Sequence, residues 1–258
     1  MQQPCVVLPF AESRRHANLV LGFIVYRFEK GTVSGLAQFM RGMVLVLLLC
    51  AGQVQAGAWP REDGEFFVAL GGNAALFGNA VRPVYYDPTI YLEYGLNDRL
   101  TLGAEGYTAD VGTSGSILAF SRLTLGPMDG ASSYAISTGA GMTMIPDGTI
   151  ESFGRLGFHW GRGHDTGWFA VDAYATYGTE TERLQTKIDS TWGYRFAPDW
   201  TSIALVQIGT GLEGDFYAKL SPSIGYSLSA SIDLRMGLTH ALTGDRGSGL
   251  LVETWIRF

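Results

Sequence analysis

Only two cysteines, Cys5 and Cys50, occur in this chain of 258 residues, and charged side chains make up just 16% of it. Both cysteines fall early, so everything beyond Cys50 is free of thiols, which excludes a disulfide framework or a thiolate metal site there. Long apolar runs are also missing. No stretch approaches the roughly 20 residues of a membrane-spanning helix, and no segment keeps a convincing helical period, so any passage across a membrane must rest on strands. Basic residues are scarce. Five basic and two acidic residues precede position 57, and the remainder carries 13 basic against 22 acidic residues, a net charge of −9. Nucleic acid is therefore excluded as a natural partner. What the chain has instead is glycine, 35 residues of it, and 12% aromatics. That mixture suits strands joined by tight turns rather than a disordered or collagen-like chain.

The first part of the chain reads as a targeting segment. Met40-Arg41-Gly42, then MVLVLLLC, then AGQVQA form a basic start, a short apolar core and a small-residue exit, with Val54 and Ala56 where a signal peptidase reads. Leu49 stands before Cys50 where lipid attachment would need a small residue. The expectation is three parts: residues 1–39, an upstream or non-structural extension; 40–56, a signal peptide cut after Ala56; and 57–258, the working domain.

From Gly64 onward about twelve segments of roughly nine to thirteen residues alternate apolar and polar positions, with turn residues between them. In TIYLEYGL, Ile90, Leu92, Tyr94 and Leu96 share one face against Tyr91 and Glu93. In SIDLRMGLT, Ile232, Leu234, Met236 and Leu238 oppose Asp233 and Arg235. A soluble sandwich also has one dry and one wet face. Three features favour a barrel in a membrane. The strands are as long as tilted spanning strands, not the usual five or six residues. Phe66, Tyr94, Trp160, Tyr177, Tyr194, Tyr226 and Phe258 gather near strand ends like interfacial girdles. A count near twelve is even, which brings both ends of the sheet to one side, and closure removes exposed edges. The fold class expected is all-β, a transmembrane antiparallel up-and-down barrel of about 12 strands. YGLNDRLTLG, YRFAPDWTSI and YSLSASIDLR repeat weakly as short periplasmic turns, and longer connections at about 73–88, 109–115 and 242–249 face outward.

Alternation assigns an inner face that includes Glu93, Glu105, Arg122, Glu151, Arg155, His159, Asp172, Lys187, Asp189, Arg195, Glu213, Lys219, Asp233, Arg235, Glu253 and Arg257. Both signs are present. These charges can line an aqueous pore or pair across the lumen and close it. Ser121, Ser152, Ser190 and His240 fall on the lipid-facing parity, but in no spacing that makes a nucleophile and base, so no catalytic residue is assigned. In HWGRGHDTGW, His159 is read as inward at a strand end, with His164 and Asp165 in the following turn. That is a weak ligand set, and no metal or cofactor is expected. The glycines follow pleats and turns without a strand-to-helix unit, which excludes a phosphate loop.

The final segment LLVETWIRF places Leu250, Val252, Thr254, Ile256 and Phe258 on one face. With Phe258 last and Ile256 two positions before it, this resembles the C-terminal signal of bacterial outer-membrane β-barrel proteins, which their assembly machinery reads. Thr254 departs from the pattern. YGLNDRLTLG resembles hairpins of the outer-membrane family associated with transport in phenol meta-cleavage. These resemblances imply a Gram-negative outer-membrane channel for passive passage of small molecules, hydrophobic or aromatic ones included, with membrane lipid, the assembly machinery and small solutes as partners. The alternatives are a structural barrel with an ion-paired lumen and a lipid-modifying enzyme.

Overall fold

In a computed structural model of the chain, the structure describes residues 57–77, 86–109, 112, 114–126, 130–144, 148–211, 214–243 and 247–258. The expected extension with Cys5, the signal peptide with Cys50, and Glu213 lie outside the described residues. Twelve strands follow one another: β1 (Phe66–Phe77), β2 (Tyr86–Gly95), β3 (Leu100–Ala109), β4 (Ser114–Leu125), β5 (Ser132–Met144), β6 (Ile150–His164), β7 (Gly167–Gly178), β8 (Leu184–Ala197), β9 (Trp200–Thr210), β10 (Phe216–Ser227), β11 (Ile232–Ala241) and β12 (Ser248–Arg257). Each pairs antiparallel with its sequence neighbour, and β1 pairs with β12, which closes the barrel. Among the described residues no helix is long and apolar enough to cross a membrane.

The period-two pattern explains the wall. Side chains alternate across a strand, and exposure follows: along β6 the odd positions from Glu151 to Gly161 turn inward while Leu156 and Phe158 face out. Leu70, Ile90, Leu102, Ile117, Ile136, Ile188, Ile224, Met236 and Val252 are likewise exposed on the outer wall. An apolar belt that encircles a closed sheet is the solution a bilayer demands, because every backbone group is paired within the wall. Aromatic rings mark one rim of the belt. Trp200 packs on Tyr226 at 4.6 Å, Trp192 stacks on Tyr194 at 6.0 Å, and Phe66 meets Phe258 at 6.1 Å. The Phe258 amide donates to the Phe66 carbonyl at 2.9 Å, and the Phe66 amide donates back at 3.3 Å. The last residue is thereby fixed to the first strand.

That rim also carries the short turns, the periplasmic side of such barrels. In the β2–β3 turn the Asn97 side chain accepts from the Arg99 and Leu100 amides, both at 3.0 Å. Ser229 does the same for Ser231 and Ile232 at 3.2 and 3.1 Å in the β10–β11 turn. A polar side chain that holds its own following backbone is what gives these turns their recurring sequence. The Tyr194 repeat differs, with a register irregularity between Arg195 and Ala197. The connections at the opposite rim are shorter than expected, since β1 runs to Phe77 and β2 starts at Tyr86. His159 also departs from expectation: it sits in mid-strand, and His164 is the last residue of β6, paired with Gly167, because β6 reaches 15 residues.

The segment before β1 is a lumen element that periodicity does not announce. Residues 57–65 enter the barrel at the short-turn rim and fill its interior there: Ala58 is fully buried and Trp59 packs against Trp168, Ala170 and Ile203.

Candidate functional site

The lumen has two halves of different character. In the periplasmic half, Glu93 holds the centre. Arg61 Nε lies 2.5 Å from Glu93 Oε2, Arg122 Nη1 lies 2.6 Å from Oε1, and the Tyr91 hydroxyl donates to Oε1 at 2.5 Å. Glu93 and Arg122 are each only 2% exposed, so neither charge could stand there without the other. The inserted segment joins this network through its backbone as well. Arg122 Nη2 donates to the Trp59 carbonyl at 3.3 Å, the Ser133 hydroxyl to the Ala58 carbonyl at 2.7 Å, and the Arg61 amide to Thr101 Oγ1 at 3.3 Å. The Arg61 guanidinium lies 4.1 Å from the centroid of the Phe67 ring. Trp59 has room because position 161 is glycine: a Cβ there would strike the indole, with Cζ3 at 2.5 Å. Across the same half Arg235 pairs with Glu253 at 3.0 Å, donates to Ser223 Oγ at 2.8 Å, and faces the Trp255 ring. Arg257 meets Asp233 at 2.7 Å, and Arg195 faces inward on β8.

Above this lies a hydrogen-bonded row, Asp172, His159 and Ser137. His159 Nδ1 is 2.7 Å from Asp172 Oδ1, and Nε2 is 2.9 Å from Ser137 Oγ. A carboxylate only accepts, so Nδ1 carries a proton toward Asp172, while Nε2 and the serine hydroxyl share the second hydrogen bond. The order is that of a serine-hydrolase triad. Yet the row is packed from both sides: the Tyr174 ring sits edge-on to His159 at 5.4 Å, and Gly57 lies against Asp172. A Cβ on Gly57 would come within 2.7 Å of Asp172 Cγ, and its φ is +35°, so glycine is required there twice over.

The outer half is open. A cavity of about 400 Å³ lies inside the outer rim, lined by Glu105, Glu151, Arg155, Arg183, Lys187 and Lys219, by the rings of Tyr107, Phe153 and Tyr217, and by hydroxyls and amides between them. Arg155 meets Glu105 at 2.5 Å and overlies Tyr174 at 4.7 Å. Lys187 meets Asp189 at 2.8 Å, and Asp189 also accepts from Gln207 at 3.1 Å. Lys219 overlies Tyr217 at 5.4 Å. Glu151 is engaged at the rim by the Thr181 amide and hydroxyl at 2.8 and 2.6 Å. Four cations thus stand against two carboxylates in the lining, or three when Asp189 is included. The remainder of the chain after position 56 is strongly acidic, so this mouth reverses the local sign.

Ser121, Ser152, Ser190 and His240 lie on the outer wall on four different strands, and His240 Nδ1 contacts Ser248 Oγ at 2.8 Å. Ile256 and Phe258 are also on the outer wall, and Phe258 is exposed. Among the described residues no three His, Cys, Asp or Glu side chains converge as a metal would require. Sequence reasoning missed Trp59, Arg61, Tyr91, Ser137 and Tyr174. Parity alone would have found the last three, since Tyr91 shares a face with Glu93, Ser137 with Ser133, and Tyr174 with Asp172. Trp59 and Arg61 precede the first alternating segment and gave no periodic signal.

Among solved structures, the KdgM porin matches with a TM-score of 0.54 at 10% identity, over 75% of this chain and 99% of that one. The NanC porin matches with a TM-score of 0.52 at 8% identity, over 74% and 98%. The chain has the fold of the outer-membrane porins. The CymD monoaromatic hydrocarbon channel aligns at 11% identity over 76% of this chain and 88% of that one, with a TM-score of 0.44 that is too low to bear on substrate. No family profile matches the chain, and no curated protein sequence does.

Proposed function

We propose that this barrel is an outer-membrane channel that admits small solutes carrying an anionic group on a planar apolar body. The observation that carries the reading is the outer cavity. Its excess of Arg and Lys concentrates anions at the mouth, while Tyr107, Phe153 and Tyr217 offer ring faces to an aromatic body. The aromatic class suggested by the YGLNDRLTLG turn is thereby kept, with a carboxylate or similar group added to it. The outer-wall residues Ile256 and Phe258 serve assembly in this reading, as contacts for the machinery that inserts the strand.

Uptake into outer-membrane vesicles tests it. An aromatic carboxylate such as 2-naphthoate is expected to enter several-fold faster than an aromatic amine of equal size, and Lys187→Gln with Lys219→Gln should erase the difference. Equal rates for both probes in the parent would overturn the reading.

A second reading, a structural barrel with a closed lumen, is favoured by the filled periplasmic half and would show no uptake of either probe. Catalysis has less support. Neither Ser137 nor His159 belongs to the lining of the outer cavity, so the row beneath it serves as a packed floor, and Ser137→Ala should leave uptake unchanged.

A further inference from the structure

Residues 57–65 fill the periplasmic half without belonging to the wall, so something must hold them there. The segment starts at the rim, where the Gly64 amide donates to the Gly95 carbonyl at 2.9 Å. From β2 it crosses the lumen. The Arg61 amide meets Thr101 on β3, the Trp59 carbonyl meets Arg122 on β4, and the Ala58 carbonyl meets Ser133 on β5. It then passes Gly161 on β6, where a Cβ would come within 3.0 Å of the Ala58 methyl, and reaches Asp172 on β7 with Gly57.

Gly57 rests on a charge. A Cβ at this glycine would stand 2.7 Å from Asp172 Oδ2. The Gly57 nitrogen is one bond angle, about 2.5 Å, from that same point, so it lies within about 5 Å of the carboxylate.

Asp172 differs from the carboxylates below it. Glu93 faces Arg61 and Arg122, Glu253 faces Arg235, and Asp233 faces Arg257. Asp172 is only 7% exposed and pairs with His159, which carries a full charge only when both its nitrogens are protonated. A buried carboxylate is costly without a cation. The sequence supplies one. Hydrolysis of the Ala56–Gly57 bond by a signal peptidase takes up one water, leaves a carboxylate on Ala56 with the departing peptide, and frees the amine of Gly57. Such an amine has a pKa of about 8 and is an ammonium at neutral pH. The residue expected to become first is thus the residue whose backbone lies against this carboxylate.

We infer that cleavage after Ala56 is also the step that locks the lumen: the Gly57 ammonium docks on Asp172 and pins residues 57–65 across the periplasmic half. Before the cut the same nitrogen is an uncharged amide and can form no ion pair. Glycine is needed at the new terminus because any side chain there would strike Asp172. The inference is independent of which solute the outer cavity admits.

The test uses the full chain, expressed in a Gram-negative host and purified from its outer membrane. The mass of the intact mature protein should correspond to a start at Gly57, and any other start overturns the inference. The decisive variant carries Ser-Gly inserted between Ala56 and Gly57, which keeps the cut in place and moves the new amine away without altering the barrel. With folding shown by heat-dependent gel mobility, the parent should be nearly silent in planar bilayers, and the insertion should open about tenfold more often, as expected when a buried ion pair is lost. Asp172→Asn keeps the shape of the side chain and removes its charge. It should open as often as the insertion, and the two changes together no more than either alone. A folded insertion protein as silent as the parent overturns the lock, and so does a parent that conducts as freely as the insertion. Effects of the insertion and Asp172→Asn that multiply also overturn it, because one pair cannot be lost twice. If Asp172→Asn fails to fold, the insertion decides alone.

Discussion

The two halves of the lumen are built from one alternating pattern, yet one is solid and the other open. In the periplasmic half Glu93, Arg122, Asp233 and Arg235 each meet an opposite charge on another element, and Arg61 and Trp59 arrive from outside the sheet to complete the fit. In the outer half Arg155 reaches from β6 to Glu105 on β3, but the other pairs are local. Lys187 meets Asp189 two positions along its own strand, and Lys219 lies against a neighbouring ring. Pairs that reach across the lumen consume its cross-section, whereas pairs along the wall leave the middle free. The same residue types thus close a barrel or line it, according to where the partner stands.

The largest effect that could break this contrast lies at Glu93. Glu93→Ala leaves the buried Arg122 without a counter-charge and Arg61 with Glu65 alone, at 3.5 Å, and should destabilise the barrel by about 3–5 kcal/mol. A matching fall in the temperature at which the folded gel band converts to the unfolded one checks it. Glu105→Ala, in the wetter outer half, should move that temperature far less. Next is Gly161→Leu. With no space left for the indole, Trp59 must leave, and bilayer recordings should show openings that the parent lacks, without loss of folding. Lys187→Glu with Lys219→Glu should follow in size, turning the mouth from anion-attracting to cation-attracting. A reversed sign of the zero-current potential in a salt gradient, recorded in a background that conducts, is the readout. Smallest of all, Ser152→Ala, Ser190→Ala and His240→Ala alter only the lipid face, and should change neither gel mobility nor uptake.

Much of the fold was legible because period two is local: each of Ile90, Leu92 and Tyr94 declares its face through its neighbours, and twelve such segments close only one way. The inner face was legible for the same reason. Depth and partnership were not. Glu93 and Glu105 are both inward by parity, but nothing in the sequence says that the first is sealed by Arg61 and Arg122 from distant elements together with Tyr91 on its own strand, while the second borders a cavity. The inserted segment escaped because it is a short irregular run, WPREDG, whose side chains find their places only once the barrel exists. The Asp172–His159–Ser137 row was hidden by its spacing, since three strands must be in register before the atoms meet.

Planar-bilayer conductance of residues 57–258, side by side with the same barrel begun at Glu65 and both shown folded by heat-dependent mobility, tests the contrast most directly. The longer chain is expected to be nearly silent and the shorter one to open in steps of reproducible size with an anion preference, because the inserted segment is what closes the periplasmic half. Equal conductance from the two would contradict the account, since the segment would then not close the lumen.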